Sequence, residues 1–233
     1  MAREFNRNMF IMLLAIMLGA IIITFFAADI VNRSKIETLT TEYETEITSI
    51  SSKGENFTSY FLKSSVILDQ AREDFAFGNY HFDLAFLWYN TALSEKNSLT
   101  IDLYKTRGKD NCTDAMPYYI FSHDNYKDAK SYFNDTKSYT NYKLYLDILD
   151  LYMSLTESGS NLSMLRYNAS LYLMYLSENL TFNEENNSAE YLVNVSDLIM
   201  AFSSTMKAYN NELKEYNNYQ NAIDEYEFFD ENR

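Results

Sequence analysis

The sequence predicts an all-α protein, with one N-terminal transmembrane helix followed by an irregular helical bundle. Three observations carry this. Only 5 glycines and 1 proline occur in 233 residues, so the chain is poor in the residues that strand-connecting turns demand. Apolar residues recur at steps of three and four along nearly its whole length, the spacing of one helix face. Residues 9–28 form a single apolar stretch without a charge, long enough to be read as a membrane span.

Taken in order, residues 1–8 carry Arg3, Glu4 and Arg7 and read as a short cytoplasmic tail, because positive charge is retained on that side. Residues 9–28, MFIMLLAIMLGAIIITFFAA, would span about 30 Å as a helix, the thickness of a bilayer core. This run is longer than the core of a cleaved signal peptide, and Phe26 sits where cleavage calls for a small residue. An uncleaved anchor in the cell membrane is expected, with the N-terminus cytoplasmic and the C-terminal domain outside. Residues 29–50 read as an amphipathic stalk, with Ile36, Leu39, Tyr43, Ile47 and Ile50 on one face. Ser51-Ser52-Lys53-Gly54 should break it and open a helical domain over 51–233.

Within that domain a helix is expected over 55–77, with Phe57, Phe61, Ser64, Leu68, Ala71 and Phe75 inward and Gly78 as its stop. The next covers 80–96 and carries Trp88. The polar run KTRGKDNCTDAM, 105–116, reads as a loop, and Pro117 then sits where a helix can begin. Short helices are expected at 117–121 and 124–136, and a longer one at 139–157. Ser158-Gly159-Ser160 should turn the chain into a helix at 161–181, and NEENN, 183–187, forms a second loop. The last helix carries the most regular seam: Ile199, Phe202, Met206, Tyr209, Leu213, Tyr216, Gln220 and Ile223. Alternate steps of three and four mark a pairing seam, and the stalk at 36–50 is its expected antiparallel partner.

The net charge is −14, and the first 28 residues contribute +1, leaving −15 on the remainder. Such a domain repels nucleic acid, whose binding relies on Lys and Arg. The single cysteine, Cys112, excludes an internal disulfide. It has no His and Asn arrangement that would make it a nucleophile. His81 and His123 have no companions at metal-ligand spacing, and the acidic groups at 184–185 and 224–231 show no calcium-loop spacing. No phosphate loop, HExxH or GxSxG is present. No catalytic residue, metal or cofactor is expected, and the chain reads as a non-enzyme.

Nine N-x-[ST] sequons occur, at Asn32, Asn56, Asn111, Asn134, Asn161, Asn168, Asn179, Asn186 and Asn194, where composition alone gives about four. None precedes residue 29. Asn32 would lie too near the membrane, and the other eight are candidate glycosylation sites, each of which has to be on the surface. An Asn-rich and Ser/Thr-rich surface also generates sequons by accident. With no cysteine pairs, used sequons would fit an archaeal cell surface.

Two segments share a phrase: GNYHFDLAFLWYNTAL, 78–93, and DNYKDAKSYFNDTK, 124–137. The second resembles the start of the second helix in tetratricopeptide repeats. Asn125-Tyr126 would be the turn, Ala129 the small residue at a close helix crossing, and Tyr132-Phe133 the aromatic pair. In the first segment Ala85 would take the small position. The phrases stand 46 residues apart, whereas the family repeats every 34, and the Trp-Leu-Gly signature of its first helix is missing. The resemblance implies a tetratricopeptide-like domain of helical hairpins with a concave, partner-binding groove; the residues alone imply an irregular bundle.

The 21 tyrosines suit helix cores and interfaces alike, having an apolar body and a polar tip. Tyr80, Trp88, Tyr89 and Tyr126 are the candidate partner-binding residues. The expected function is that of a membrane-anchored, extracytoplasmic helical scaffold binding a protein partner in the cell envelope, alone or as a homo-oligomer. The alternative is an extracytoplasmic ligand-sensing domain acting through a membrane partner.

Overall fold

The structure, a computed structural model, describes the backbone of residues 2–226 and the side chains of 35 and 37–226. The chain divides into two compact units, Met1–Lys53 and Gly54–Arg233. The helix α1 (Ala2–Ser94) supplies all the described backbone of the first. There Leu39, Tyr43, Ile47 and Ile50 are exposed. Thr41 and Thr45 donate to the carbonyls of Glu37 and Thr41 at 2.9 and 2.7 Å, so their polar groups are satisfied within the helix. The predicted span, 9–28, lies outside the residues whose side chains are described. Among the described residues no helix is long and apolar enough to cross a membrane.

The second unit is an up-down-up-down bundle of residues 54–94 of α1 with α2 (Ser98–Thr136), α3 (Lys143–Glu178) and α4 (Ser196–Asp224). Asn97 caps α2, its Oδ1 accepting from the amides of Leu99 at 2.9 Å and Thr100 at 3.4 Å. A 3-10 turn at Lys137–Tyr139 leads towards α3. A small antiparallel hairpin, β1 (Leu180–Asn183) and β2 (Ser188–Tyr191), joins α3 to α4, with Leu180 opposite Tyr191. This hairpin is the one departure from all-α among the described residues.

Why these helices associate is written in a repeat of seven. Ser64, Ala71, Gly78, Ala85 and Ala92 fall at every seventh position of α1, and Gly108, Ala115, Ser122, Ala129 and Thr136 do the same on α2. Thr156, Ser163, Ser170 and Ser177 repeat it on α3, and all of these positions are buried. Small side chains let backbones approach. Ser122 Oγ donates to the Ala71 carbonyl of α1 at 2.8 Å and meets Ser163 Oγ of α3 at 2.9 Å. A Cβ on Gly108 would stand 3.3 Å from Ser177 Oγ and 3.4 Å from the Ala85 carbonyl. Thus α2 runs antiparallel to both neighbours. The buried hydroxyls of Ser163, Ser170 and Ser177 donate to carbonyls four residues earlier, which removes the cost of burying them.

Large residues fill the interior between these stripes. One cluster holds Phe82, Tyr89, Cys112, Tyr119, Leu173 and Leu176, and a second holds Leu68, Tyr126, Phe133, Leu149, Leu155 and Ile223. Two tyrosines lie on glycines of neighbouring helices: Tyr119 on Gly78 and Tyr126 on Gly159. On α4, Tyr209 and Ile223 are buried. Arg72 of α1 clamps this helix, donating from Nε to Tyr216 Oη at 3.1 Å and from Nη2 to Gln220 Oε1. Arg166 of α3 lies between the rings of Phe82 and Tyr209, at 4.4 and 4.0 Å.

Several expected boundaries are corrected. Residues 51–54 are helical and break nothing; Gly78 ends no helix but makes room for Tyr119. The expected loop 105–116 is the middle of α2, with Cys112 and Ala115 buried, and Pro117 lies inside the helix. The expected turn at 158–160 is a buried part of α3. Asn125-Tyr126 makes no turn, lying within α2, whereas Ala85 and Ala129 are both buried small residues. The loop at 183–187 is the turn region of the hairpin, and α4 forms with its seam facing the bundle from Phe202 onward, while Ile199 is exposed. Tyr216 and Gln220 of that seam meet Arg72.

Candidate functional site

The outer face of the α1–α2 hairpin carries a ledge of aromatic side chains that the core does not use. Phe77 and Tyr80 project from α1 and Phe121 from α2, with exposures of 48 %, 61 % and 57 %. Phe77 stacks on Tyr118 with ring centres 5.6 Å apart. His81 stacks on the same Tyr118 at 5.8 Å, meets Tyr80 in a T-shaped contact at 5.3 Å, and faces Asn111 Oδ1 through Nδ1 at 3.4 Å. Further along the hairpin, Trp88 stacks on Tyr104 at 5.4 Å under the guanidinium of Arg107 at 4.9 Å. The helical spacing that turns Gly78, Phe82 and Ala85 inward turns Phe77, Tyr80 and His81 outward. Rigid aromatic surface of this kind, partly desolvated by its own stacking, is what protein interfaces use.

The candidate partner-binding residues therefore separate. Tyr80 is exposed and Trp88 half-buried on this face. Tyr89 and Tyr126 do not belong to it, being 7 % and 2 % exposed. Tyr89 Oη bonds Tyr191 Oη of the hairpin, and Tyr126 Oη meets Tyr216 Oη of α4 at 3.3 Å. Burial pushes the phenols of Tyr89, Tyr119 and Tyr126 above their usual range, and it raises the Cys112 thiol to about 12. Phe77, Tyr118 and Phe121 escaped the sequence reading. Their signal was there, as aromatics lying off the seven-residue repeat that defines the core.

Of the candidate glycosylation sites, Asn56, Asn134, Asn161, Asn186 and Asn194 are exposed, and Asn111, Asn168 and Asn179 are half-buried. His81 and His123 have separate neighbours. His123 lines a groove of about 450 Å³ between α2 and α3, together with Lys127, Lys130, Glu157 and Ser160. His123 Nδ1 stands 2.7 Å from Ser160 Oγ and 3.2 Å from the Ser160 carbonyl. Lys130 is paired with Glu157 at 2.9 Å. Both Ser160 and His123 sit in helix interiors, where backbone amides are committed to the helix ladder and offer no oxyanion donors. Among the described residues no three His, Cys, Asp or Glu side chains converge as a metal site.

No family model matches the chain, and neither a curated protein nor a solved structure is found to match it.

Proposed function

We propose that the chain is a membrane-anchored, extracytoplasmic helical scaffold that binds a protein partner through the α1–α2 ledge. The carrying observation is the exposure of Phe77 and Tyr80 beside the stacked His81–Tyr118 pair, with Phe121 exposed one helical turn along α2 from Tyr118. Apolar side chains held in fixed geometry and left in water favour a partner that covers them. In this reading residues 9–28 are the anchor, 1–8 lie in the cytoplasm and the bundle works outside the cell. The net charge of −14 fits a protein partner better than nucleic acid. The chain binds rather than catalyses.

Chemical cross-linking in native membranes, read by mass spectrometry, tests this. The reading expects one stoichiometric protein partner joined to the α1–α2 hairpin, and loss of that adduct in the Phe77→Ser/Phe121→Ser variant with the helical content intact. Adducts scattered evenly over all four helices would sink it.

A second reading, a ligand-sensing domain, is favoured by the groove at His123. Its 450 Å³ is within the range of small-molecule sites, and Lys127 and Lys130 bring positive charge to an acidic protein. A midpoint rise with small carboxylates that Lys127→Glu abolishes would favour it over the scaffold.

A further inference from the structure

We infer that Asn194 is the sequon the folded chain presents for N-glycosylation, an inference that rests on the outside location proposed above. The chemistry joins two side chains. The Asn amide nitrogen attacks the anomeric carbon of a sugar, and the hydroxyl two residues on must reach that amide. On an α-helix, residues two apart point about 200° away from each other. A helical sequon therefore holds its two functional groups on opposite sides.

The structure shows this separation at five sequons: Asn56, Asn111, Asn134, Asn161 and Asn168 lie within α1, α2 and α3. Their partner hydroxyls are all turned back into the helix. Thr58, Thr113, Thr136, Ser163 and Ser170 donate to the carbonyls of Gly54, Lys109, Tyr132, Gly159 and Arg166. Three amide nitrogens are engaged as well: Asn111 Nδ2 donates to the Arg107 carbonyl at 2.9 Å, Asn161 Nδ2 to Glu212 Oε1 at 3.4 Å and Asn179 Nδ2 to the Tyr175 carbonyl at 2.8 Å.

Asn194 differs in its backbone and in the partner of its sequon hydroxyl. It is exposed and lies in the non-helical segment between β2 and α4. Its Oδ1 accepts from Ser196 Oγ at 2.7 Å and from the Ser196 amide at 3.0 Å. Its Nδ2 donates to no group among the described residues. The hydroxyl of its own sequon thus already polarises the amide of an exposed side chain. Asn186 is also exposed and non-helical, but Asn187 beside it takes a φ of 49° and its amide has no bond to Ser188 among the described residues.

In the transfer, Nδ2 forms a bond to the anomeric carbon of a sugar activated by a lipid-linked phosphate or diphosphate. The bond from that carbon to the phosphate oxygen breaks, its electron pair leaves with the phosphate, and Nδ2 releases one proton to a base of the transferase. The glycan would stand beside the exposed Leu192, Val193 and Met200 and shield them. The aromatic ledge, on α1 and α2, belongs to different elements.

Glycopeptide mass spectrometry of the full chain from its native membranes measures occupancy at each sequon, while protease accessibility on intact cells reads location separately. Asn194 should be occupied in more than half of the molecules and Asn56, Asn134, Asn161 and Asn168 in fewer than one tenth. Ser196→Ala should remove the glycan and Ser196→Thr should keep it. A bare Asn194 on a bundle that proteases reach from outside would overturn the inference and leave the location standing. Helical sequons as occupied as Asn194 would overturn it too, and a bundle found inside the cell would overturn both.

Discussion

Replacing Gly159 by alanine should destabilise the bundle, although alanine is the better helix former. In an unhindered helix interior the exchange stabilises by about 1 kcal/mol. At Gly159 the added Cβ would stand 2.4 Å from Cε1 and 2.5 Å from Cζ of Tyr126, far inside the carbon–carbon optimum of about 3.5–4.0 Å. Tyr126 is buried and its hydroxyl meets that of Tyr216 at 3.3 Å, so the ring cannot retreat without disturbing α4. Overpacking typically costs about 1–3 kcal/mol, and a lost hydrogen bond adds about 1 kcal/mol. After the helix-propensity gain the net loss is about 1–3 kcal/mol. Gly54→Ala is the control, since nothing lies within 4 Å of its added Cβ; it should gain about 0.5–1 kcal/mol. Thermal unfolding of the full chain in detergent, followed by far-UV circular dichroism, reads both, at about 2–4 °C per kcal/mol for a unit of this size. Tyr126→Leu should recover part of the Gly159→Ala cost, giving a coupling of at least about 0.5 kcal/mol in the double-mutant cycle. If Gly159→Ala raised the midpoint as much as Gly54→Ala, the seating of Tyr126 on α3 would be wrong.

Three further outcomes follow from the core and the caps. Burial holds the protons on Cys112, Tyr89, Tyr119 and Tyr126 above their usual 9.0 and 10.0, so above about pH 9 the unfolded chain binds fewer protons than the folded one. Their stabilising share is complete below that pH and is lost as pH rises, each group steepening the fall by up to about 1.4 kcal/mol per pH unit. Urea midpoints measured from pH 8 to 10.5 should drop once pH 9 is passed, and a flat profile would contradict it. Over the same range iodoacetamide should leave Cys112 unmodified until denaturant is added. Asn97→Ala should cost about 1 kcal/mol by removing the cap of α2, read as a lower urea midpoint with unchanged slope; no change would mean that the two amides it caps find water at no cost.

How much of this was legible turns on the small residues. The regular seam of α4 could be read because Phe202, Met206, Tyr209 and Ile223 are apolar and spaced by threes and fours. The helices were visible as well, but their lengths were not. Ser158-Gly159-Ser160 and the run around Gly108 look like punctuation because serine and glycine usually mark turns. Here the same residues make up the close-packed stripe, and their burial depends on a neighbouring backbone at van der Waals distance, which no local pattern reports. A seven-residue spacing of small residues, shared by α1, α2 and α3, was the signal that could have found them. Of the proposed ledge, Tyr80 and Trp88 were picked out as aromatics. Tyr89 and Tyr126 were not separable from them, because tyrosine packs as well in a core as on a surface. The hairpin 180–191 left no trace beyond its turn region, since four-residue strands are too short for an alternating pattern to show.

The most direct test of the proposed binding face is site-specific photo-cross-linking in native membranes. A photoreactive amino acid would replace Phe77, Tyr80 or Phe121, with Lys214, an exposed position of α4, as the control. All three ledge positions should give one protein adduct of the same mass, and the control none. Adducts from Lys214 in equal yield, or none from the ledge while the cell retains its partner proteins, would contradict the proposed binding face.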